Sequence, residues 1–487
     1  MTAPLFLGID LGTTGIKVGL FDAAGTIVAE ASREIRLDAP QPDFLEFDAE
    51  QYEALACEAV REVLSSADAA AVQAVGISSQ AQTFVVTDAA GRPLRPAVSW
   101  LDVRARAETD ELCAIADRLN HTTMNAVQSA PKVLWLRRHE PAVAERMRRL
   151  LVIPDYLVFH LTGRAVTDGV FASSTGLYSG FERRWVPDLV AATGLDESML
   201  PEVARPGTPV GTLTAEAAGR LGLPESVIVA VGTNDQPCGA LGAGNVTPGC
   251  ASLAMGTALA IILTADTRDG APRGVGVSHH PASTDAAPLF ALLAYAKTCG
   301  VVIRWLRDLA APGGSYDDLF AEAAAVPIGA EGLSCVPHFS GTATPDFNAR
   351  VRGAFVGLTL AHGRAHLLRA LIESLAFTVR QNMDLLRQAF PANEIRAIGG
   401  GARSDLWLQM IADVTGLPVA RPRTREAACL GAAELGMVAA GRFDSVAEAS
   451  AAIYESERRF DPDPSTAYDE AFHRYEEVFR SLYGENR

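Results

Sequence analysis

The chain has 487 residues, which is too long for one hydrophobic core and predicts two or three domains of ordinary size. Hydrophobic residues make up 48% and charged residues 21% of the sequence, a composition typical of soluble globular proteins. The net charge of −16 argues against nucleic acid or an anionic membrane as a partner, because both require clustered lysine and arginine. Small anionic substrates remain compatible with it.

The sequence gives no sign of export or of membrane insertion. It has no run of about 18 apolar residues, and its first residues, MTAPLFLGID, lack a basic n-region. Its seven cysteines are scattered and show no C-x-x-C spacing, so neither a zinc site nor a disulfide framework is predicted. We therefore expect a cytoplasmic protein with no membrane partner.

The first predicted elements are two strands, over 5–9 and 16–21, joined by the loop DLGTTG at 10–15. Glycines let a backbone approach a ligand closely, and threonine hydroxyls and free amides suit phosphate oxygens. A hairpin with polar turn residues explains this loop equally well when it is considered alone.

A mixed α/β pattern continues through the first half of the chain. After a turn at 22–25 and a third strand, the predicted elements are a helix over 49–64 and strands over 72–77, 84–87 and 227–231.

The second half opens in the same way as the first. Gly256 and Thr257 lie between two apolar strands in ASLAMGTALAIIL, and a short strand follows in VGVSHHP. Later come a long amphipathic helix over 362–390, a strand over 395–398 and three glycines at 399–401 before another helix. Two halves that begin alike predict a duplicated domain, with the boundary near 245–248 and a peripheral tail beyond Phe460.

The two hairpin loops are the matching candidates for binding the phosphates of one nucleotide. The glycines at 399–401 offer a third anion site through free amides at a helix start. The sequence has neither a P-loop nor a complete G-x-G-x-x-G motif. What remains resembles the nucleotide clamp of actin, Hsp70 and the sugar kinases. The predicted phosphate contacts in the hairpin loops are Gly12, Thr13, Thr14, Gly256 and Thr257.

Within that clan, four ordered blocks resemble the FGGY carbohydrate kinases, which include xylulokinase, glycerol kinase and gluconokinase. The blocks are DLGTTGIKV, VGTNDQPCGALGAG, HFSGTATPDFNARVRGAFVGLT and IGGGARSDLWLQMIADVTG. The resemblance implies an α/β fold of two duplicated ribonuclease H-like, actin-like ATPase domains with an interdomain cleft. Residues 1–245 would hold the sugar and the catalytic base, and residues 246–487 mainly the nucleotide.

The resemblance also implies phosphoryl transfer from ATP, with Mg²⁺, to a sugar hydroxyl. Asp235 matches the catalytic aspartate of the family, with a helix N-cap as the alternative role. Gln236 beside it would bind the substrate, and Asp10 would hold Mg²⁺ together with ATP. Lys17 is either a phosphate contact or a solvent-facing lysine.

The resemblance places further nucleotide contacts in the second half of the chain. Gly300 and Arg304 in GVVIRWLRD, and Gly400 and Gly401 in the fourth block, match positions that contact nucleotide in the family. Ser404 replaces an asparagine that often lies beside adenine, so its contact is less well supported.

The acceptor pocket departs from the best-known members of the family. Ala81-Gln82 stands where glycerol kinases have Arg-Glu and xylulokinases Met-His. Trp100 and Asp102, from the W-x-D-x-R element, are expected to line the sugar site, although a core tryptophan is an equal alternative. We expect a neutral sugar or polyol, first a ketopentose; the alternatives are a tetritol, a hexulose, gluconate, glycerol, or a non-kinase actin-like ATPase. The sequence leaves open whether the protein forms a homodimer.

Overall fold

The structure is a computed structural model that describes residues 3–119, 121, 124–464 and 468–484. The chain forms two compact units. The first comprises Met1–Gly242 with Glu426–Ile453, and the second comprises Ala243–Arg425 with Tyr454–Arg487. A single division at residue 245 therefore does not describe the units, because the chain returns to the first unit before it ends in the second.

The strands are short to medium in length, as in most α/β proteins. Within the described residues they are β1 (Leu5–Leu11), β2 (Gly15–Asp22), β3 (Ile27–Glu34), β4 (Glu46–Phe47), β5 (Val72–Ser79), β6 (Phe84–Thr87), β7 (Ala97–Val98), β8 (Arg149–Val152), β9 (Val166–Asp168), β10 (Tyr178–Ser179), β11 (Arg184–Trp185), β12 (Glu202–Ala204), β13 (Pro209–Thr212), β14 (Ile228–Ala230), β15 (Thr233–Asn234), β16 (Cys250–Met255), β17 (Leu259–Ala265), β18 (Gly276–His279), β19 (Phe290–Ala296), β20 (Ser334–Val336), β21 (Ala354–Val356), β22 (Glu394–Ile398), β23 (Val419–Pro422) and β24 (Ser456–Phe460).

Helices alternate with these strands along both units. In the same part of the chain they are α1 (Ala49–Leu64), α2 (Arg106–Arg118), α3 (Ser129–His139), α4 (Pro141–Arg146), α5 (Ile153–Thr162), α6 (Gly169–Ser174), α7 (Pro187–Ala192), α8 (Ala215–Leu221), α9 (Asp235–Gly242), α10 (Gly300–Ala310), α11 (Tyr316–Ala324), α12 (Arg364–Arg387), α13 (Asp405–Thr415), α14 (Ala427–Ala439), α15 (Val446–Ile453) and α16 (Tyr468–Tyr483). None of them, over the residues described, is both long and apolar enough to cross a membrane.

The central sheet of the first unit has the strand order β13-β14-β5-β1-β2-β3, and β15 also pairs with β5. Strands β1, β2 and β3 form an antiparallel meander, whereas β5 is parallel to β1, and β14 and β15 are parallel to β5. The central strands are almost wholly apolar and buried on both faces, as expected for a sheet covered by helices.

Helix α14 packs closely on this sheet although it comes from the far end of the chain. A Cβ atom added at Gly8 would lie 1.8 Å from the carbonyl oxygen of Cys429, and one added at Gly76 would lie 1.8 Å from that of Ala432. Small residues on α14 and glycines on β1 and β5 thus allow direct backbone contact. This packing explains why Glu426–Ile453 belongs to the first unit.

The second unit repeats the same sheet. Its order is β18-β19-β17-β16-β22-β23-β24, in which β16, β17 and β19 are antiparallel neighbours and β22 is parallel to β16. Strand β23 is parallel to β22, and β24 closes the sheet antiparallel to β23. Six strands correspond in order and direction, β3-β2-β1-β5-β14-β13 to β19-β17-β16-β22-β23-β24, whereas β15 and β18 have no counterpart among the strands described. The predicted two-domain α/β fold with an internal duplication is confirmed.

The prediction that the tail beyond Phe460 is peripheral is wrong. Helix α16 packs on α12, where the rings of Phe472 and Tyr475 lie 5.5 and 5.6 Å from that of Phe377. The hydroxyl of Tyr468 accepts a hydrogen bond of 2.9 Å from buried Arg369. The tail therefore contributes to the core of the second unit.

Candidate active site

Three parallel strands of the first unit bring the predicted catalytic segments to one edge. Strands β1 and β15 both pair in parallel with β5, and their registers place Asp10 and Thr233 beside Ser78. The carboxyl ends of parallel strands meet at the same edge, where ligands bind in many α/β proteins. The loop after β1, the loop after β5 and the start of α9 after β15 therefore lie together.

Asp235 is the first residue of α9, directly after β15. Its Oδ1 accepts a 2.8 Å hydrogen bond from the amide of Gln236, and Asn234 Nδ2 donates to the carbonyl of Ser79 at 3.1 Å. The residue is partly exposed, yet the surrounding protein desolvates its carboxyl, and the charge of Asp10 adds to this, so that its pKa rises to about 7. A carboxyl group with this pKa can take a proton from a hydroxyl near neutral pH.

Asp10 provides a second carboxyl group at the same edge. Ser78 Oγ donates to its Oδ1 at 2.8 Å, and burial raises its pKa above the ordinary value. Lys17, whose role the sequence left open, forms an ion pair of 2.7 Å with Glu426.

Asp10 also fits the predicted role in holding Mg²⁺. No cluster of three or more His, Cys, Asp or Glu side chains suited to a metal ion occurs among the residues described. Mg²⁺ that enters with a nucleotide needs only one or two protein carboxylates, because phosphate oxygens and water complete its shell. The single carboxylate of Asp10 is compatible with that mode of binding.

The loop between β1 and β2 is held by a hydrogen-bond network. The indole Nε1 of Trp100 donates to Thr13 Oγ1 at 2.8 Å, and Thr13 Oγ1 donates to Gln80 Oε1 at 3.0 Å. The carbonyl of Gly12 accepts from Gln80 Nε2 at 3.2 Å and from the hydroxyl of Tyr52 at 2.8 Å. Trp100 is partly exposed, so its ring is fixed at the site and does not fill the core.

Asp102 was predicted to line the sugar site, but the structure buries it. The residue has no exposed surface; its Oδ2 accepts from the amide of Leu45 at 2.7 Å, and its Oδ1 accepts from Arg104 Nε at 2.9 Å. Arg104 also pairs with Glu46. Asp102 thus supports the loop that carries Trp100 and offers no open surface to a sugar.

The other predicted acceptor residues lie at the edge or beside it. Ala81 and Gln82 follow β5 and are partly exposed, as is Gln236 on the first turn of α9. Gln82 has the unusual backbone angle φ of 63°.

The second unit contains a cavity of about 740 Å³. It brings together every nucleotide contact that the sequence predicted for this half of the chain: Gly256, Thr257, Gly300, Arg304, Gly400, Gly401 and Ser404. The other residues that line the cavity were not predicted from the sequence: Met255, Ile303, Tyr316, Asp317, Phe320, Ala321, Ala324, Arg403, Asp405, Leu406 and Trp407.

Two glycines of this cavity differ in whether the surrounding protein leaves room for a side chain. The amide of Gly300 donates to the carbonyl of Gly256 at 2.8 Å, and a Cβ added at Gly300 would lie 2.7 Å from that oxygen. Glycine is therefore required for α10 to start against the hairpin loop. At Gly400, in contrast, an added Cβ would meet no protein atom within 4 Å.

The predicted helix start at the three glycines needs correction. Residues Gly400–Arg403 form a short 3₁₀ turn, and α13 begins only at Asp405. Ser404 is its N-cap, with Oγ accepting from the amide of Trp407 at 3.3 Å. The amides at the start of α13 are thus partly satisfied by the protein, and the hydroxyl of Ser404 is engaged in capping.

Residues that the sequence analysis missed fall into two kinds. The sequence around Gln80 could have indicated its role, because a glutamine directly after an apolar strand is often buried and then needs polar partners. Tyr52 on α1 and Phe320 on α11 had none, since each reaches its site only through long-range packing.

Two family models match the chain one after the other. Residues 5–242 match the model of the FGGY family of carbohydrate kinases, N-terminal domain, and residues 251–440 match that of its C-terminal domain. The chain is 30% identical to xylulose kinase of Escherichia coli K12 over 98% of each chain. It is 32% identical to glycerol kinase of Bordetella parapertussis over 95% of this chain and 94% of that one.

A solved structure is similar over nearly the whole chain. The xylulose kinase from Rhodospirillum rubrum superposes with a TM-score of 0.87 at 30% identity, covering 98% of this chain and 99% of that chain. Both family domains match in order, and the full-length relatives are sugar or polyol kinases by name. The chain therefore belongs to the FGGY family of carbohydrate kinases and is a phosphotransferase that acts on an alcohol group.

Proposed function

We propose that the protein transfers the γ-phosphoryl group of ATP to a hydroxyl of a neutral sugar or polyol, with a ketopentose such as xylulose as the first candidate. The observation that carries this proposal is the edge of the first sheet, where Asp235 has a pKa of about 7 beside the loops of Thr13 and Gln82. The xylulose kinases among the relatives support the choice of a ketopentose.

In the proposed reaction Asp235 is the general base. Its carboxylate takes the proton of the acceptor hydroxyl while that oxygen bonds to the γ-phosphorus of ATP. The bond from this phosphorus to the β,γ-bridging oxygen breaks, and ADP leaves. Mg²⁺ bound with ATP, held in part by Asp10, would neutralise phosphate charge.

The nucleotide is assigned to the cavity of the second unit. Its volume of about 740 Å³ lies within the range of small-molecule sites, and its wall combines apolar side chains with the cations Arg304 and Arg403. Apolar surface suits a purine ring, and guanidinium groups suit phosphate oxygens.

A neutral acceptor is favoured because Lys132 and Arg104, two basic residues bonded to the segment around Trp100, are already engaged. Lys132 is fully buried and its Nζ donates to the carbonyls of Ser99, Trp100 and Val127 at 2.9 to 3.2 Å. Arg104 is bonded to Asp102 and Glu46. A sugar acid would need a free cation, whereas Gln82 offers a neutral donor and acceptor.

The test is a coupled ADP-release assay over pentuloses, hexuloses, tetritols, glycerol and gluconate, with mass spectrometry of the product. We expect the largest acceptor-stimulated turnover with a pentulose, and a sugar phosphate as product. A clear preference for glycerol or gluconate would contradict the acceptor assignment, and ATP turnover that no acceptor stimulates would contradict the kinase assignment.

A further inference from the structure

Gln82 is held in a backbone conformation that non-glycine residues rarely adopt. Its φ of 63° lies in the left-handed region, where a glycine would be less strained. Within the described residues its side-chain amide forms no hydrogen bond, so no internal contact explains why glutamine occupies this position. Strain of this kind persists where the surrounding structure enforces it, often at ligand sites.

Two serines from different helices enforce the conformation. Ser129, at the start of α3 and without exposed surface, donates from Oγ to the carbonyl of Gln82 at 2.8 Å. Ser174, at the end of α6, accepts from the amide of Gln82 at 3.3 Å. Its hydroxyl proton goes to the carbonyl of Phe171 at 2.7 Å, which leaves a lone pair for Gln82.

Helix α6 also contacts the segment that precedes the catalytic base. Asp168, its N-cap, accepts from the amide of Phe171 at 2.7 Å and from Thr233 Oγ1 at 2.7 Å. Thr233 lies two residues before Asp235. One helix of six residues is thus bonded at its start to the base segment and at its end to Gln82.

We propose that Ser129 and Ser174 are positioning residues that fix Gln82 for reading the acceptor, and that α6 sets the place of Gln82 relative to Asp235. This rests on the proposed function, in which Gln82 binds the sugar. The serines act only through Gln82, so they control selectivity for the acceptor without touching it. Their loss should affect acceptor binding and leave the nucleotide site unchanged.

The first experiment replaces each serine by alanine and measures KM for sugar and for ATP. Losing one hydrogen bond worth about 1 kcal/mol changes affinity about fivefold, so Ser129→Ala should raise the sugar KM by about that factor. Ser174→Ala should have a smaller effect because its bond is longer. Ser173→Ala is the matched control, since Ser173 Oγ donates to the carbonyl of Gly169 at 2.7 Å and not to Gln82.

The second experiment is a double-mutant cycle that separates positioning from general destabilisation. In a Gln82→Ala background, Ser129→Ala should raise the sugar KM no further, because the side chain that Ser129 positions is gone. Gln82→Gly should keep or raise Tm, since strain is relieved, while the sugar KM still rises.

The outcomes distinguish this inference from the proposed function. If wild type makes sugar phosphate but the two substitutions add fully in the cycle, the positioning role is wrong. A sugar KM that stays unchanged in Gln82→Gly would also overturn it. Failure of the wild type to phosphorylate any acceptor would instead contradict the proposed function.

Discussion

The two hairpins that open the two sheets share a backbone design and differ in chemistry. Aligned on their glycine and threonine, IDLGTTG of the first unit matches LAMGTAL of the second, so that Asp10 corresponds to Ala254. In both units three residues join the two strands, and the amide of the glycine donates across the loop, to the carbonyl of Gly15 at 2.9 Å in the first and to that of Ala258 at 3.1 Å in the second. Ala258 lies one position earlier in the alignment than Gly15. The length of the loop is therefore kept, whereas its closing bond differs and the carboxyl group is present in only one copy.

This difference indicates a division of labour. The edge of the first sheet holds two carboxyl groups with raised pKa, Asp10 and Asp235, and a polar network through Gln80. The second hairpin instead forms part of the wall of a large cavity with aromatic and cationic side chains. We infer that one copy specialised in proton and metal chemistry and the other in holding the nucleotide.

The largest effect should follow from removing the proposed base. Asp235→Asn keeps the size of the side chain but cannot accept the proton, so kcat should fall by about 10²-fold or more. Sugar affinity, measured by calorimetry, should be largely retained. Asp188→Asn, at an exposed position of α7 away from both candidate sites, is the control carboxylate. Near-normal turnover of Asp235→Asn would show that another group is the base.

Asp10→Ala makes the first hairpin resemble the second at the position that distinguishes them. If Asp10 holds Mg²⁺ with ATP, turnover should fall by about 10-fold to 100-fold and require more Mg²⁺ for half-maximal rate. A Mg²⁺ titration at fixed ATP measures this. Ala254→Ser, the control in the second hairpin, should leave the Mg²⁺ requirement unchanged. An unaltered requirement in Asp10→Ala would remove Asp10 from the metal site.

Much of the fold could be predicted from local patterns. The helix at 49–64 and the strand at 84–87 were predicted with the bounds that the structure shows, because their periodicity and their flanking polar residues are unambiguous. The return of Glu426–Ile453 to the first unit could not be predicted, since the backbone contacts of Gly8 and Gly76 with α14 join residues more than 350 positions apart.

The candidate sites were predictable to a similar degree. Short motifs identified the glycines and the carboxyl groups, because each motif consists of a few consecutive residues. The burial of Asp102 was not predictable, since it depends on Leu45 and on the pair of Arg104 with Glu46. Ser129 and Ser174 were missed for the same reason.

Gln82→Ala tests the proposed acceptor site of the first unit and should change the kinetics by an intermediate amount. Loss of one buried hydrogen bond, worth about 1.4 kcal/mol, should raise the sugar KM about 10-fold. The KM for ATP should stay nearly unchanged, because the nucleotide is assigned to the other unit. Initial rates over a matrix of sugar and ATP concentrations measure both constants. Equal changes in both would show that the two units do not divide the substrates in this way.

A pair of glycines tests the nucleotide side with a smaller effect. Gly400→Ala adds a methyl group where no protein atom lies within 4 Å, so Tm should be unchanged, while the KM for ATP rises about threefold if phosphate approaches there. Gly401→Ala is the contrast, because its Cβ would lie 2.8 Å from Met255 Cβ and from the ring of Trp407. It should lower Tm. An unchanged KM for ATP in Gly400→Ala would place the phosphates elsewhere.

The smallest expected effect is on stability. Replacing Asp235 by Asn should lower activity but raise stability above neutral pH. The pKa of Asp235 is about 7 in the folded chain, against an ordinary value of 3.8, so folding favours its protonated form. As pH rises from about 4 to 7, the unfolded chain releases this proton first, and the wild type loses stability that it does not regain above pH 7.

Asp235→Asn has no proton to lose at this position. It should therefore have a higher Tm than wild type at pH 8, by a few degrees at most for a chain of this size, with the difference shrinking toward pH 5. Calorimetric scans of both proteins at these two pH values measure the effect. Keeping a proton acceptor at the edge of the first sheet would then lower the stability of the folded protein. A Tm difference that is independent of pH would show that desolvation does not raise the pKa of Asp235, and the proposed base would lose its physical basis.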